Sequence, residues 1–295
     1  MYFVLFGIVW LVAWLPLRVL YLLSDTAYFV VFHLVKYRRK IVWQNLKNSF
    51  PEKSENELHE IERRFYRFFC DIFIETIKKM HLSERQMRRR LEFTNHYAAL
   101  QQCIAGKNII FMTAHYGNWE WFSSFTTHIS DEYRVAQVYQ NLHNQSFDRF
   151  MLMLRSKFRT INIEKKVLLR QMVKNHADKI PTFYGFLSDQ SPNSRDSEKV
   201  GVNFLNQKTP VLVGAEKIAQ KFDYSVFYGK ITRKKRGYYR CEVIPITLNP
   251  NELEEFEITK RFMNLLENDI RRQPELWLWT HKRWKFANKN FRIIN

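Results

Sequence analysis

Only three cysteines occur in the 295 residues, Cys70, Cys103 and Cys241, far apart and odd in number. None stands in a CxxC pair or at the Cys/His spacing of a zinc site, so the sequence offers neither a disulfide framework nor a metal ligand set. They read as buried thiols of a reducing compartment. Acidic residues are also scarce: 29 Asp and Glu face 47 Lys and Arg, giving a net charge of +18. A surface so basic seeks polyanions, either nucleic acid or anionic lipid headgroups, and says nothing about fold. There is no RNP signature or DNA-binding module, no internal repeat, no low-complexity tract, and no Ser or Cys in a nucleophile motif.

What the chain has in quantity is aromatic and apolar residues. Phe, Tyr and Trp number 25, 14 and 8, and 46% of residues are hydrophobic, enough to fill one large domain or two small ones. Trp and Tyr favour the membrane–water interface, which tilts the choice of polyanion towards lipid. Residues 1–23 are apolar apart from Arg18 and are interrupted by Pro16, between a short transmembrane helix and a tilted interfacial anchor. No basic stretch precedes them and no small-residue cleavage site follows, so the segment is expected to be retained. Lys36, Arg38, Arg39 and Lys40 then place positive charge where it keeps the rest of the chain cytoplasmic. The competing reading is a buried N-terminal helix of a soluble protein. Three segments are expected: an anchor over 1–24, an amphipathic helical region over 25–106, and an α/β catalytic domain over 107–295.

Residues 26–48 continue as an amphipathic helix with a basic face, ended by Asn48-Ser49-Phe50-Pro51. Ser54-Glu55-Asn56-Glu57 and Ser83-Glu84-Arg85-Gln86 are capping boxes that open new helices. Leu58, Ile61, Phe65, Phe68, Ile72 and Met80 fall mostly on one face of the first. From about residue 107 short apolar runs alternate with helical patterns, the texture of an α/β sheet. Strands are predicted at Ile109–Thr113, Tyr133–Tyr139, Ile180–Ser188, Tyr224–Ile231 and Tyr239–Ile246, and helices at about 117–129, 144–158, 166–176 and 210–221. Lys234-Lys235-Arg236-Gly237 predicts a hairpin turn between the last two strands.

Two histidines carry an acid five residues on: His115 with Glu120, and His143 with Asp148. Spacing alone does not choose between them, but context does. His115 follows an apolar strand, where open α/β sheets hold their ligands. Gly117 permits close backbone approach, and Asn118 favours a turn that starts the next helix with Glu120 in its first turn. Asn141, Leu142 and Gln145 give His143 no such turn. A histidine with an acid to orient it can act as a general base on a hydroxyl. The Trp-rich end, with Trp277, Trp279 and Trp284 among His281, Lys282, Arg283 and Lys285, could stack bases, anchor at a bilayer or pack in the core.

The segment His115-Tyr116-Gly117-Asn118-Trp119-Glu120 resembles the His-x4-acid box of the lipid A late acyltransferases, relatives of the glycerolipid acyltransferases. The resemblance extends over nearly the whole chain. It includes Arg38 to Leu46 leading to Phe50-Pro51, Tyr139 with Asn144 and Asp148, and Asp189-Gln190-Ser191-Pro192. It continues through Val202-Asn203-Phe204-Leu205 ahead of Thr209-Pro210 and ends with Pro274 to Lys285. Gln140 replaces an arginine usual in the family, and Leu205-Asn206 replaces Phe-Gly.

The resemblance implies a mixed, mostly parallel sheet flanked by helices, behind an N-terminal membrane helix and a helical region. It implies an enzyme at the cytoplasmic face of a bacterial inner membrane, moving a fatty acyl chain from acyl carrier protein or acyl-CoA to a hydroxyl of a lipid A precursor, with no cofactor and no metal. His115 would be the base and Glu120 would hold its ring. Arg155 and Arg170 match family arginines. Arg155 could bind phosphate, support the thioester oxygen or be a solvated helix charge; Arg170 could equally belong to a basic patch facing headgroups. Asp189 and Gln190 match the family's Asp-Gln box, where the carboxylate could order a loop or bind acceptor. The competing functions are transfer to another lipid acceptor, such as an aminolipid or lysophospholipid, and a non-catalytic membrane or nucleic-acid binder.

Overall fold

A computed structural model describes residues 2–194 and 199–294. Pro16 cannot donate the hydrogen bond that would carry a helix through it, and the N-terminal apolar stretch is accordingly two helices, α1 (Tyr2–Trp14) and α2 (Leu17–Phe29). The second runs on as a π-helical turn, Val30–Leu34. The one segment among the described residues long and apolar enough to cross a membrane is therefore Leu17–Leu34, shifted from the 1–23 expected. The amphipathic helix predicted over 26–48 is likewise broken, because Lys36 and Arg38 adopt positive φ before α3 (Arg39–Ser49) begins.

Both capping boxes form, with Ser54 opening α4 (Glu55–Lys78) and Ser83 opening α5 (Glu84–Arg90). Leu58, Ile61, Phe65, Phe68 and Ile72 bury one face of α4 as their spacing predicts, while Met80 lies beyond its end. A strand not anticipated inside this helical region, β1 (Leu91–Thr94), joins the main sheet, so the packing does not divide at residue 107. Its four residues are too few for a period-two pattern to stand out.

The remaining elements are α6 (Tyr97–Ile104), β2 (Ile109–Thr113), a 3-10 run (Trp119–His128), β3 (Arg134–Tyr139), α7 (Gln145–Ser156), β4 (Ile161–Glu164), α8 (Leu168–Ala177) and β5 (Thr182–Leu187). They continue with β6 (Val200–Phe204), β7 (Gln207–Pro210), α9 (Gly214–Phe222), β8 (Ser225–Lys235), β9 (Tyr238–Thr247), α10 (Glu257–Arg272) and β10 (Arg292–Ile293). Seven strands form the main sheet in the order β1-β9-β8-β2-β5-β3-β4, and β10-β6-β7 form a small second sheet. All neighbours in the main sheet are parallel except β8 and β9, the predicted hairpin. The fold is α/β, with a mostly parallel mixed sheet flanked by helices.

Every residue of β2 is buried, as expected of a central parallel strand covered on both faces. Phe111 on β2 meets Phe122, Phe125 and Phe183 at ring-centroid distances of 5.2–5.8 Å. These aromatics clamp the 3-10 run, and the turn before it, onto the sheet.

Candidate active site

The register of the sheet assembles the site. Thr113 on β2 is paired with Leu187 on β5, so His115 and Asp189, each two residues past that pair, leave neighbouring parallel strands at the same edge. Adjacent strands lie about 4.8 Å apart, close enough for side chains to bond directly. His115 Nδ1 is 2.8 Å from Asp189 Oδ1, and Asp189 Oδ2 accepts the indole N–H of Trp277 at 2.9 Å. Burial pushes the Asp189 carboxyl up, but His115 and the Trp277 hydrogen bond outweigh it and hold the group below the usual carboxylate range. An ionised Asp189 accepts only, so Nδ1 carries the proton and Nε2 keeps its lone pair. The side-chain nitrogen of Gln190 lies 3.1 Å from Nε2 and donates to it.

The loop carrying His115 is held on three sides. Its carbonyl accepts from Leu278 N at 3.1 Å, Gly117 N donates to Leu276 O at 3.0 Å, and Tyr116 bridges Trp277. The Tyr116 hydroxyl is shared between the carbonyls of Asp269 and Gln273. Asn118 caps the 3-10 run by accepting from Trp121 N, and its amide donates to Glu75 Oε2 at 2.6 Å. Gly117 has φ +62°, and a Cβ there would sit 2.4 Å from Ile231 Cγ2, so this position admits glycine for both reasons.

Glu120 does not hold the His115 ring. Its carboxylate takes a two-point ion pair from Arg155, at 3.0 Å from Nε and 2.7 Å from the terminal nitrogen. Burial raises the Glu120 carboxyl, yet the Arg155 bonds and charge, with Lys79 behind them, bring it below its ordinary value. The reason is directional: the first turn after Asn118 points Glu120 towards α7, whereas the strand register brings Asp189 to the ring. Trp119 fills the intervening space, with its ring centroid 5.3 Å from that of His115. The second His–acid pair does not form: Asp148 accepts from Leu142 N in the first turn of α7, and His143 is exposed. Arg170 is also exposed, on α8, and meets none of these residues.

Several residues join the site that sequence reasoning did not single out for it. Lys79 is buried and donates to the Glu120 carbonyl at 3.2 Å and to Ser123 Oγ; burial, opposed by the charge of Glu120, pushes its ammonium down to about 7. His281 is pushed down to about 4 by burial and accepts from Ser191 N. Arg38 donates to the Thr280 carbonyl, and Asn45 spans the carbonyls of Trp279 and His281, which is what ties the basic segment to the Trp-rich end. Trp277 and Trp279 are buried in the core rather than displayed to a membrane or to bases. In the sequence, Lys79 looks like any lysine at a helix end; only its burial marks it.

Beside this cluster runs an apolar groove of about 640 Å³. Phe69, Ile72 and Phe73 of α4 form one wall and Phe147, Phe150 and Met151 of α7 another, with Val9 of α1 at the rim. Trp119, Glu120, Leu278 and His281 line its other part, adjoining His115. A slot walled by aromatic and aliphatic side chains, with Trp119 and Leu278, both in contact with His115, in its wall, suits an apolar chain with a reactive polar head.

A model of the family described as bacterial lipid A biosynthesis acyltransferase matches residues 1–286. The chain belongs to this family. A relative, the lipid A biosynthesis lauroyltransferase of Escherichia coli (strain K12), is 25% identical over 286 residues, covering 95% of this chain and 89% of the relative. The protein is thus an acyltransferase, an enzyme that transfers acyl groups, and the apolar Leu17–Leu34 segment is consistent with membrane association.

Proposed function

We propose that the protein transfers a fatty acyl chain from a thioester, carried by acyl carrier protein or coenzyme A, to a hydroxyl of a lipid A precursor at the cytoplasmic face of the inner membrane. The observation that carries the chemistry is the Asp189–His115 pair beside the apolar groove. The groove would take the acyl chain, leaving the thioester carbonyl near His115. The acceptor hydroxyl would displace Gln190 from His115 Nε2 and give its proton to that atom as its oxygen attacks the carbonyl. The C–O bond forms, the C–S bond breaks, and the imidazolium returns the proton to the leaving thiolate. Asp189 stabilises the imidazolium and keeps the ring in the tautomer that can accept. No acyl-enzyme is required, in keeping with a sequence that has no nucleophile motif.

Glu120 and Arg155 support this reading in a different way from that expected. Paired at the groove wall, they fix the segment that follows the His115 loop, and the ion pair would set the polar limit of the acyl site. The acceptor assignment comes from the family and the lauroyltransferase relative. The test is an assay of purified protein with acyl carrier protein and coenzyme A thioesters of several lengths and candidate lipid acceptors, with products read by mass spectrometry. His115→Ala should lower turnover by ~10²–10⁴-fold without unfolding the protein. Full turnover in that variant would overturn the mechanism, and transfer only to aminolipids or lysophospholipids would overturn the acceptor.

A further inference from the structure

On the far side of α4 from the acyl groove lies a second cavity, of about 440 Å³, with a different chemistry. Arg64 and Arg67 of α4, Arg233 of β8 and Arg236 of the following hairpin turn converge on it, with Asp25 and Tyr28 of α2 and Glu275 completing the wall. On α4, Arg64, Arg67 and Asp71 repeat at i, i+3 and i+7, while the groove residues Phe69, Ile72, Phe73 and Thr76 form their own row at the same spacings. At 100° per residue the two rows point in nearly opposite directions. The cavity is therefore separate from the acyl site.

Its rear is pre-arranged. Arg236 forks onto the buried Asp71 and onto Asp25, and lies over the Tyr21 ring at 4.2 Å; Arg233 contacts Asp71 at 3.2 Å and lies over Phe68 at 5.4 Å. Its front is unspent. Arg67 has no carboxylate partner among the described residues and rests over the Tyr28 ring at 5.2 Å; Arg64 reaches Glu60 only at 3.9 Å. With Glu60 held more closely by Arg63, at 2.7 Å, four guanidiniums against Asp25, Glu275 and Asp71 leave one positive charge, the complement of a singly charged phosphodiester. Guanidinium forks match phosphate oxygens two at a time. Position adds a second constraint. Asp25 at the cavity's edge lies three residues from Leu22 and four from Phe29, and with Val19 and Leu23 of α2 and Val30 at the start of the π-helical turn these form an exposed apolar stripe. A charged socket flanked by an apolar stripe has the layout of a phospholipid, headgroup in one and chains along the other.

We infer that this arginine socket binds the phosphodiester headgroup of a membrane glycerophospholipid, separately from the acyl-transfer site. The experiment titrates the full-length protein, held in neutral maltoside micelles, with dihexanoyl-phosphatidylglycerol in a calorimeter, with inorganic phosphate as the second titrant. The wild-type protein should bind the lipid saturably and inorganic phosphate far more weakly. The Arg64→Gln/Arg67→Gln variant should bind the lipid ~10-fold or more weakly, since two charge-assisted contacts are removed. Arg88→Gln/Arg89→Gln, the same charge change on exposed α5 outside the socket, should bind as wild type does. Absence of saturable lipid binding, equal loss in the two variants, or phosphate binding as tight as lipid would each overturn the assignment. Acyl transfer need not change in any of them, so the result stands apart from the proposed function.

Discussion

Asp189 contacts His115 and Trp277 at once, one carboxylate oxygen 2.8 Å from the imidazole Nδ1 and the other 2.9 Å from the indole nitrogen. The indole fixes the carboxylate, the carboxylate fixes the ring, and the ring presents the Nε2 lone pair, which the Gln190 amide occupies until an acceptor displaces it. Asp189→Asn keeps the shape but can donate to Nδ1, which favours the tautomer with the proton on Nε2. Turnover should then fall on the order of 10³–10⁴-fold with KM little changed and the melting temperature near wild type. Steady-state kinetics and a melting curve on the same preparation check this. A variant turning over at the wild-type rate would remove Asp189 from the mechanism.

The Glu120–Arg155 pair leads to a different expectation for the other acid. Removing Glu120 alone strands a guanidinium that is mostly out of solvent, which costs about 3 kcal/mol or more. Glu120→Ala should therefore lose stability as well as activity, in contrast to Asp189→Asn. Replacing both partners with apolar residues, Glu120→Leu with Arg155→Met, should recover most of the stability and little of the activity. Denaturant melts of the single and double variants provide the comparison. Equal stability of Glu120→Ala and wild type would mean that the pair does not hold the groove wall.

How much of this was legible in the sequence follows from which contacts are local. The strand Ile109–Thr113, the Gly117 turn and both capping boxes are encoded within a few residues, and all were readable. His115 could be picked over His143 because its turn is written in Gly117 and Asn118. The partner of His115 could not be found in the same way, because Asp189 reaches it only through the pairing of β2 with β5, 74 residues apart along the chain. Five-residue spacing suggested Glu120, but a backbone entering a 3-10 turn sends that side chain to Arg155. Lys79, Trp277 and the arginine socket are likewise products of long-range packing, which no local pattern records.

Gly117 sets the path of the chain out of the His115 turn, and its replacement separates strain from chemistry. An alanine there meets the left-handed φ penalty, about 1–2 kcal/mol, together with a clash against Ile231 Cγ2 costing roughly 1–3 kcal/mol. Gly117→Ala should lower the melting temperature by several degrees and reduce turnover by displacing His115. Adding Ile231→Ala removes the clashing methyl but not the φ penalty, and should restore the local path only in part while opening a cavity of its own. If Gly117→Ala melts and turns over as wild type, the turn tolerates a side chain and the close approach has no consequence.

Glu75 and Lys79 lie within one turn of each other and should shape stability against pH in opposite senses. Glu75 accepts from Tyr21, Asn118 and Tyr239, and burial, reinforced by Asp71, pushes its carboxyl up to about 7. Between its ordinary value near 4.5 and 7 the folded protein binds a proton that the unfolded chain has lost, so stability falls as pH rises through that window. Lys79 is the reverse. Pushed down to about 7 from 10.5, it is neutral in the folded protein where the unfolded chain keeps the proton, so stability rises as pH climbs from 7 towards 10.5. Glu75→Gln should flatten the fall below pH 7, and Lys79→Met should flatten the rise above it. Melting temperatures taken from pH 5 to pH 10 on wild type and both variants read the two slopes separately. A Lys79→Met curve parallel to wild type above pH 7 would mean that the lysine stays charged in its pocket. It would then donate to the Glu120 carbonyl as an ammonium throughout the working range.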